Sequence, residues 1–298
     1  MKRVLLLSLS ACLFLGAEEN FIEIGGGFIK EKNNFSTNSE KTINNYKSAK
    51  SQNEGIGNLS FYYAQDISKS ANLYLGSSLG DLFLGSEIET DIGVFDIGVN
   101  GNFLQEAWEN PFLLNTQRKK TDVNEAGGYI GYGVPISDKY FAMLRYQYSS
   151  KDYKNDKVDN DLKRDGKKHI LSLENDWDLN DIKLSAVIFY ETYNADAKAS
   201  SYDKSGIEAS ILKDITPNLQ LALIASYASK DFDKQNPILN KKIDSDIYSF
   251  GISLKYDEPF DYENSYVSLN IGYEEEDANH NFYDRSNQYN MIALGYKF

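Results

Sequence analysis

The sequence predicts an all-β protein, a transmembrane antiparallel up-and-down β-barrel of about 14 strands. Apolar and polar residues alternate with a period of two in many segments, which is typical of strands with one lipid-facing side. The first residues have the pattern of a secretory signal, and the chain ends on alternating large apolar residues that finish with Phe298.

The composition fits a barrel better than a soluble or disordered chain. The 298 residues include only five prolines, and aromatic residues make up 13%, with 22 tyrosines. The mean hydropathy is −0.50, which is low for a membrane protein. A barrel explains this value because only every second strand residue contacts lipid. The net charge of −13 argues against a nucleic-acid partner, since phosphates require Lys and Arg.

Residues 1–17 are predicted to be a cleaved signal peptide, followed by an outer-membrane barrel domain over 18–298. Lys2 and Arg3 form a basic start, residues 4–15 are apolar but too short to span a bilayer, and Ala17 suits cleavage. We therefore expect export through the periplasm to the bacterial outer membrane.

An alternative reading treats the same segment as a lipoprotein signal. Leu9-Ser10-Ala11-Cys12 matches a lipobox with Cys12 as the acylated residue. The residues that follow Cys12 continue the apolar run instead of turning polar, which favours the cleaved signal. In that case the mature chain contains no cysteine.

The strand alternation is clearest near the C-terminus. Tyr248, Phe250, Ile252, Leu254 and Tyr256 share one face, and small or polar residues occupy the other. Soluble sandwiches alternate too. Tyrosines at strand ends, a polar face rich in Gly, Ser and Asn, and connections that alternate between short and long favour the barrel.

Tracing this pattern along the chain predicts strands with short turns on the periplasmic side and longer loops outside. The region 71–104 leaves 12 strands possible, because Gly80-Asp81 and Gly93-Val94 can form either turns or bulges. The predicted strands are 20–31, 55–66, 71–78, 82–92, 95–104, 125–136, 139–150, 168–178, 181–192, 202–213, 218–228, 243–256, 264–274 and 286–298. The predicted long connections are 32–54, 105–124, 151–167, 193–201, 229–242 and 275–285.

The C-terminal residues Ile292, Leu294, Tyr296 and Phe298 form a predicted membrane anchor and assembly signal. They resemble the C-terminal signature that the bacterial barrel-assembly machinery recognises. The expected partners are therefore this machinery, outer-membrane lipid and lipopolysaccharide.

Two short stretches resemble an uncharacterised family of proteobacterial outer-membrane barrels. They are Asn72-Leu73-Tyr74-Leu75-Gly76 and Trp108-Glu109-Asn110-Pro111-Phe112, the second followed by Arg118-Lys119. The family pattern has an acidic residue at position 110 and a tyrosine at position 112. The resemblance implies the fold and the location but no activity. The residues themselves predict that Trp108 and Phe112 anchor the third outer loop.

The sequence offers little that suggests catalysis or a cofactor. His169 lacks the Ser two residues away that barrel phospholipases use, and His280 lies in a loop with Asp277. Two distant histidines provide no metal spacing. Glu274-Glu275-Glu276-Asp277 can hold a divalent cation or join cation-bridged lipopolysaccharide, although a solvated loop is the simpler reading. We therefore predict no enzyme activity, cofactor or metal.

The predicted function is a porin-like passive channel for small hydrophilic solutes, with a slight cation preference from an acidic excess. A non-conducting surface barrel for adhesion or envelope structure is the alternative. Loops 32–54 and 105–124 are long enough to plug the lumen, and a monomer is expected. The same inward residues either line a pore or pair across the wall. The inward ionisable residues read from the alternation are Glu23, Glu87, Asp96, Arg145, Lys183, Glu191, Glu208, Lys255, Glu274 and Lys297.

Overall fold

A computed structural model describes residues 20–78 and 80–298, and within them the chain forms a closed antiparallel barrel of 14 strands. This confirms the predicted fold class and excludes the count of 12. The predicted signal peptide and Cys12 lie outside the described residues. The strands are β1 (Phe21–Lys32), β2 (Gln52–Ser68), β3 (Ala71–Ser78), β4 (Asp81–Thr90), β5 (Gly93–Trp108), β6 (Lys120–Ser137), β7 (Tyr140–Tyr153), β8 (Gly166–Asp178), β9 (Ile182–Ala195), β10 (Tyr202–Thr216), β11 (Leu219–Asn236), β12 (Lys241–Asp257), β13 (Ser265–Ala278) and β14 (Arg285–Lys297).

The first and last strands close the sheet. β1 pairs with β14 along its whole length, from Phe21 opposite Lys297 to Lys32 opposite Ser286. Side-chain exposure alternates along β14: Ile292 and Leu294 are about 60% exposed, whereas Met291 and Ala293 are almost fully buried. The apolar side of the strands therefore faces outward, where lipid satisfies it, and the inward side faces the lumen. The described residues contain no helix of membrane-spanning length and hydropathy.

The strands extend further outward than the sequence pattern indicated, so most outer loops are shorter than predicted. The connection predicted at 229–242 contracts to 237–240, because β11 continues to Asn236 and β12 begins at Lys241. The predicted strands ended too early because the apolar–polar alternation disappears at their outer ends. There the outward face is polar as well, as Asp231 and Asp244 show. Backbone pairing, which needs no apolar side chain, continues through them.

The turn predicted at Gly93-Val94 lies two residues earlier, at Asp91 and Ile92. Gly93 is the first residue of β5 and has φ of +145°, a backbone conformation that residues other than glycine rarely adopt. A Cβ at Gly93 would also lie 2.4 Å from the carbonyl oxygen of Gly133 on β6. This glycine therefore starts the strand after the turn instead of forming it.

Inward glycines hold aromatic rings of the neighbouring strand. Tyr289 lies directly opposite Gly272, and a Cβ on Gly272 would be 2.1 Å from its ring. The same arrangement pairs Tyr266 with Gly295, Tyr74 with Gly85, Tyr129 with Gly98 and Phe83 with Gly76. The sequence predicted a polar face rich in Gly, Ser and Asn, and in the structure these inward glycines allow close packing of rings against the wall.

One added methyl group at the contact between Gly272 and the Tyr289 ring is expected to destabilise the barrel. Gly272→Ala should cost roughly 1–3 kcal/mol by overpacking against Tyr289, and the same change should cost much less in a Tyr289→Ala background, where the ring is absent. Gly26→Ala is the control, because its nearest neighbouring atom lies 3.5 Å from the new Cβ. Urea unfolding in detergent micelles measures all of these variants. Equal stability of Gly272→Ala and Gly26→Ala would contradict the packing role.

Candidate functional site: the lumen and its cap

The outer mouth of the barrel is covered by loops that share one hydrophobic core. We call the connections 33–51, 109–119, 154–165, 196–201, 237–240 and 279–284 the cap. Because these loops leave the barrel at separate points around its rim, a common core requires them to cross the mouth. The buried members of this core, including the adjoining strand ends, are Ile43, Phe112, Val158, Leu162, Ala199, Phe232, Ile243, Phe282 and Tyr283.

Phe282 links the loops from opposite sides of the rim. Its side chain is fully buried, and its ring centroid lies 5.4 Å from that of Phe35 and 5.3 Å from that of Phe112. The centroid of Tyr46 lies 5.4 Å away in an edge arrangement. Such ring pairs contribute beyond the area they bury. Phe282 is therefore the centre of the cap core.

Arg118 and Trp108 join the first and third outer loops. The Arg118 guanidinium donates to the carbonyl oxygens of Asn34 at 2.8 Å and Pro111 at 3.2 Å, and to Ser39 Oγ at 2.9 Å. It also lies 4.5 Å from the Trp108 ring centre, and Trp108 Nε1 donates to the same Ser39 Oγ. Burial lowers the pKa of Arg118 to about 10, so it stays protonated at neutral pH. The loop-anchoring role predicted for Trp108 agrees with these contacts.

A belt of charged and hydroxyl side chains lines the lumen beneath the cap. It takes one inward residue from each strand between β6 and β14, and its first members are joined by Ser149 Oγ donating to Glu125 at 2.7 Å and by the Lys168–Glu125 ion pair. Further along the wall, Lys204 and Glu191 are 3.2 Å apart. In order, the belt contains Glu125, Ser149, Lys168, Glu191, Lys204, Lys230, Ser245, Glu276 and Arg285.

The belt ends in a buried cluster around Glu276. Lys230 Nζ lies 3.1 Å from Glu276 Oε1, Ser245 Oγ donates to the same oxygen at 2.7 Å, and Arg285 pairs with the other oxygen. Lys230 precedes the cap-core residue Phe232 by two positions, so the cluster lies directly below the cap. Buried charges need such pairing because desolvation costs several kcal/mol for each ion.

A second ionic cluster occupies the opposite side of the lumen. Arg145 pairs with Asp96 and, through Nε at 2.8 Å, with Glu174. The Tyr74 hydroxyl donates to Asp96 and lies 2.6 Å from the Tyr129 hydroxyl. Arg145 also lies 5.3 Å from the centre of the Tyr129 ring. One arginine therefore organises residues from β3, β5, β6, β7 and β8.

Aromatic rings line the inner wall around β1 to β6. The Tyr62 ring stacks within 6.5 Å of Phe21 and 6.2 Å of Tyr74, and Phe83 lies 6.2 Å from Tyr74. These rings form one aromatic cluster over β1 to β4, next to Asp96, whereas the ionic belt runs over β6 to β14. This asymmetry was not predicted, because alternation assigns faces but not positions around the barrel.

The predicted inward residues all fall on the lumen face, although they do not form one site. Glu23, Asp96 and Glu191 are buried, and Asp96 and Glu191 are held in the ion pairs described above. Lys255 and Lys297 meet at Asp257 near the periplasmic end. Glu87 accepts a hydrogen bond from Asn72, and Lys183, Glu208 and Glu274 lie elsewhere on the inner wall.

Sequence reasoning missed most of the belt. Glu125, Lys168 and Lys204 lie in predicted strands at inward positions, so alternation carried the signal for them. Lys230, Glu276 and Arg285 were assigned to loops because the strands were ended too early. The tetrad Glu274–Asp277 is a strand segment, not a loop, and its side chains alternate between lumen and exterior.

In the described structure, neither histidine forms a hydrogen bond with a carboxylate that could assist acid–base catalysis. His169 faces outward on β8, where its Nδ1 lies 2.7 Å from the Tyr146 hydroxyl. His280 Nδ1 accepts the backbone N–H of Phe282. Within residues 20–78 and 80–298, no group of His, Cys, Asp and Glu has metal-binding geometry.

A family model described as a protein of unknown function (DUF2860) matches residues 19–297. No curated protein matches the chain.

Among solved structures, a FadL homologue from Pseudomonas aeruginosa is 10% identical, with a TM-score of 0.51, covering 94% of this chain and 91% of that chain. A TodX mutant described as a monoaromatic hydrocarbon channel is 11% identical, with a TM-score of 0.52, covering 96% and 91%. TodX itself is the Pseudomonas putida toluene transporter. The first two likenesses, both with a TM-score above 0.5, show that the chain shares the fold of outer-membrane barrels.

Proposed function

The chain belongs to the DUF2860 family, and we propose that it is a gated outer-membrane channel through which small hydrophilic solutes diffuse passively. The observation that carries this proposal is a lumen lined with ionised side chains on its inner wall and covered by a cap of packed loops. Charged inner walls are how channels attract and orient polar solutes. The cap acts as the gate.

The geometry of the barrel and its cap supports a closed resting state. Loops from around the rim bury a shared core, and each fully buried large apolar side chain contributes about 1.5–3 kcal/mol. Opening must separate these side chains from one another, so the open state is expected to be the minor one. The belt lies immediately beneath, where it meets any solute that passes the cap.

The slight cation preference stays a prediction. The belt pairs Glu125, Glu191 and Glu276 with lysine or arginine partners, which weakens the field that an acidic excess would produce. We also propose that the protein is a monomer without catalytic activity and that it reaches the outer membrane by export through the periplasm. The locations of His169 and His280 give no support to an enzyme.

Planar bilayers test the proposal directly. We expect the wild-type protein to show long closed intervals interrupted by conductance steps, with a reversal potential that slightly favours cations in a salt gradient. A folded protein that stays silent, with its cap intact or loosened, would instead favour the non-conducting surface barrel. The packed cap is the observation that supports a non-conducting surface barrel, since its loops form a continuous surface that faces the exterior.

A further inference from the structure

Two neighbouring strands of the barrel, β3 and β4, are too short to reach its outer rim. β3 has 8 residues and β4 has 10, whereas their neighbours β2 and β5 have 17 and 16. β3 and β4 form a hairpin that ends on the outer side with Ser78 opposite Asp81. The sheet therefore lacks strands above this hairpin, between the outer halves of β2 and β5.

Two strand edges face this opening, which we call the wall gap. β2 pairs with β3 only from Phe61 onward, so residues 55–60 have no strand partner on that side among the described residues. β5 pairs with β4 only up to Gly101, and residues 102–108 likewise extend beyond β4. Where β2 and β5 keep the separation they have across the hairpin, the gap is about 14 Å between strand axes, three spacings of ~4.8 Å.

A segment of the first outer loop crosses the top of the wall gap. This strap, residues 34–43, is bonded to the β5 side by Thr37 Oγ1 donating to Glu106 at 3.3 Å and by the Trp108–Ser39 contact. Its far end pairs with the third loop, where Asn115 N donates to the Ile43 carbonyl at 2.7 Å. The strap is held by side chains and a short bridge, not by a continuous ladder.

Buried polar atoms without partners occur around the wall gap. They are Ser78 Oγ at the hairpin, Asn100 Oδ1 on β5 and Asn38 Oδ1 on the strap. A buried polar atom that lacks a hydrogen bond costs about 1–3 kcal/mol. The closed arrangement of strap and hairpin is thus destabilised locally, which favours its displacement by a solute with polar atoms.

The surroundings of the wall gap suit a molecule with two unlike ends. Exposed apolar residues border it on the lipid side: Leu59, Leu82, Phe103 and Leu104. The aromatic wall of Phe21, Tyr62, Tyr74 and Phe83 lies on the same side inside the lumen. The ionic belt of β6 to β14 faces it across the lumen. An apolar tail would contact the aromatic wall and a charged head would contact the belt.

We propose that the wall gap is a lateral portal through which amphipathic solutes, with an apolar tail and a charged head, pass between the lumen and the outer leaflet. The proposal rests on the proposed channel function and adds a side route and a solute class to it. The strap moves aside as the tail leaves through the gap.

Thiol accessibility tests the portal without relying on transport. Ser60→Cys places a thiol on the lumen face of β2 beside the gap, and Ser210→Cys places one on the lumen face of β10, where strands flank both sides. Both serines are buried to a similar degree. In a Cys12→Ala background in phosphatidylcholine vesicles, membrane-dissolved N-dodecylmaleimide should label Ser60→Cys at least ten-fold faster than Ser210→Cys.

Competition tests the solute class. Decyl sulfate and decyltrimethylammonium share a tail and differ in the sign of the head, and at least one should slow labelling of Ser60→Cys several-fold. Sulfate and tetramethylammonium, which lack the tail, should not slow the labelling.

Equal labelling of the two thiols would overturn the portal. A disulfide between two copies at position 60 would also overturn it, because it would mean that a second chain pairs with this edge of β2. Labelling of Ser60→Cys that neither decyl compound slows would overturn the solute class. Failure of the channel itself is recognised separately, as silence of cap-loosened variants in bilayers.

Discussion

Replacing Phe282 with alanine is expected to convert a mostly closed barrel into one that conducts readily. The side chain is fully buried between Phe35, Tyr46 and Phe112, so its removal leaves a cavity where several loops meet. Phe→Ala changes in cores cost about 3–5 kcal/mol. If that loss falls on the closed cap and not on the open one, the open-to-closed ratio rises more than 100-fold, since each 1.4 kcal/mol is a factor of ten.

The change should be visible as a higher open probability in planar bilayers and as faster swelling of vesicles in glucose. Phe260→Ala is the matched control, because Phe260 is 92% exposed in the turn between β12 and β13, at the other end of the barrel. The barrel strands do not depend on the cap core, so both variants should keep the heat-modifiable band of a folded barrel. An unchanged open probability in folded Phe282→Ala would show that the cap is not the gate.

The fold was predictable because lipid imposes a simple rule. Only outward residues must be apolar, so both ends of β14 and the periplasmic start of β13, where Ile292, Leu294 and Ile271 alternate with small or polar residues, could be located to within one residue. The rule loses force above the membrane, where Asp231 and Asp244 face water on paired strands. This is why the outer strand ends, and with them Lys230 and Glu276, were missed.

The site was predictable only in part because alternation reports a face and nothing about neighbours. Glu23, Asp96 and Arg145 were placed on the lumen side, but the meeting of Arg145 with both Asp96 and Glu174 depends on the register of β5 to β8. The cap depends on contacts between residues far apart in sequence, such as Asn34 with Phe282. No local pattern carries that information.

Removing the Arg145 charge should make the lumen more selective for cations. Arg145→Met leaves the Asp96 and Glu174 carboxylates without their shared counter-ion, and both lie on the inner wall. A unit charge about 4 Å from a passing ion changes its energy by about 1 kcal/mol even in bulk water, which corresponds to roughly five-fold in the cation-to-anion permeability ratio. The reversal potential in a tenfold KCl gradient measures this ratio.

Two further variants separate the field in the lumen from the other consequences of the change. Lys213→Met removes the same charge from an exposed outward position of β10 and should leave the reversal potential unchanged. Arg145→Met combined with Asp96→Asn restores the net charge of the cluster, so its permeability ratio should return toward that of the wild type. Breaking a buried pair costs about 3–5 kcal/mol when one partner is left charged, and the double variant should recover part of this stability as well.

If the cation-to-anion permeability ratio stays raised in the double variant, or if Lys213→Met raises this ratio equally, the Arg145 cluster does not control the ions that pass. Its charges would then act only to hold β5 to β8 together, as the alternative reading of the inward residues requires.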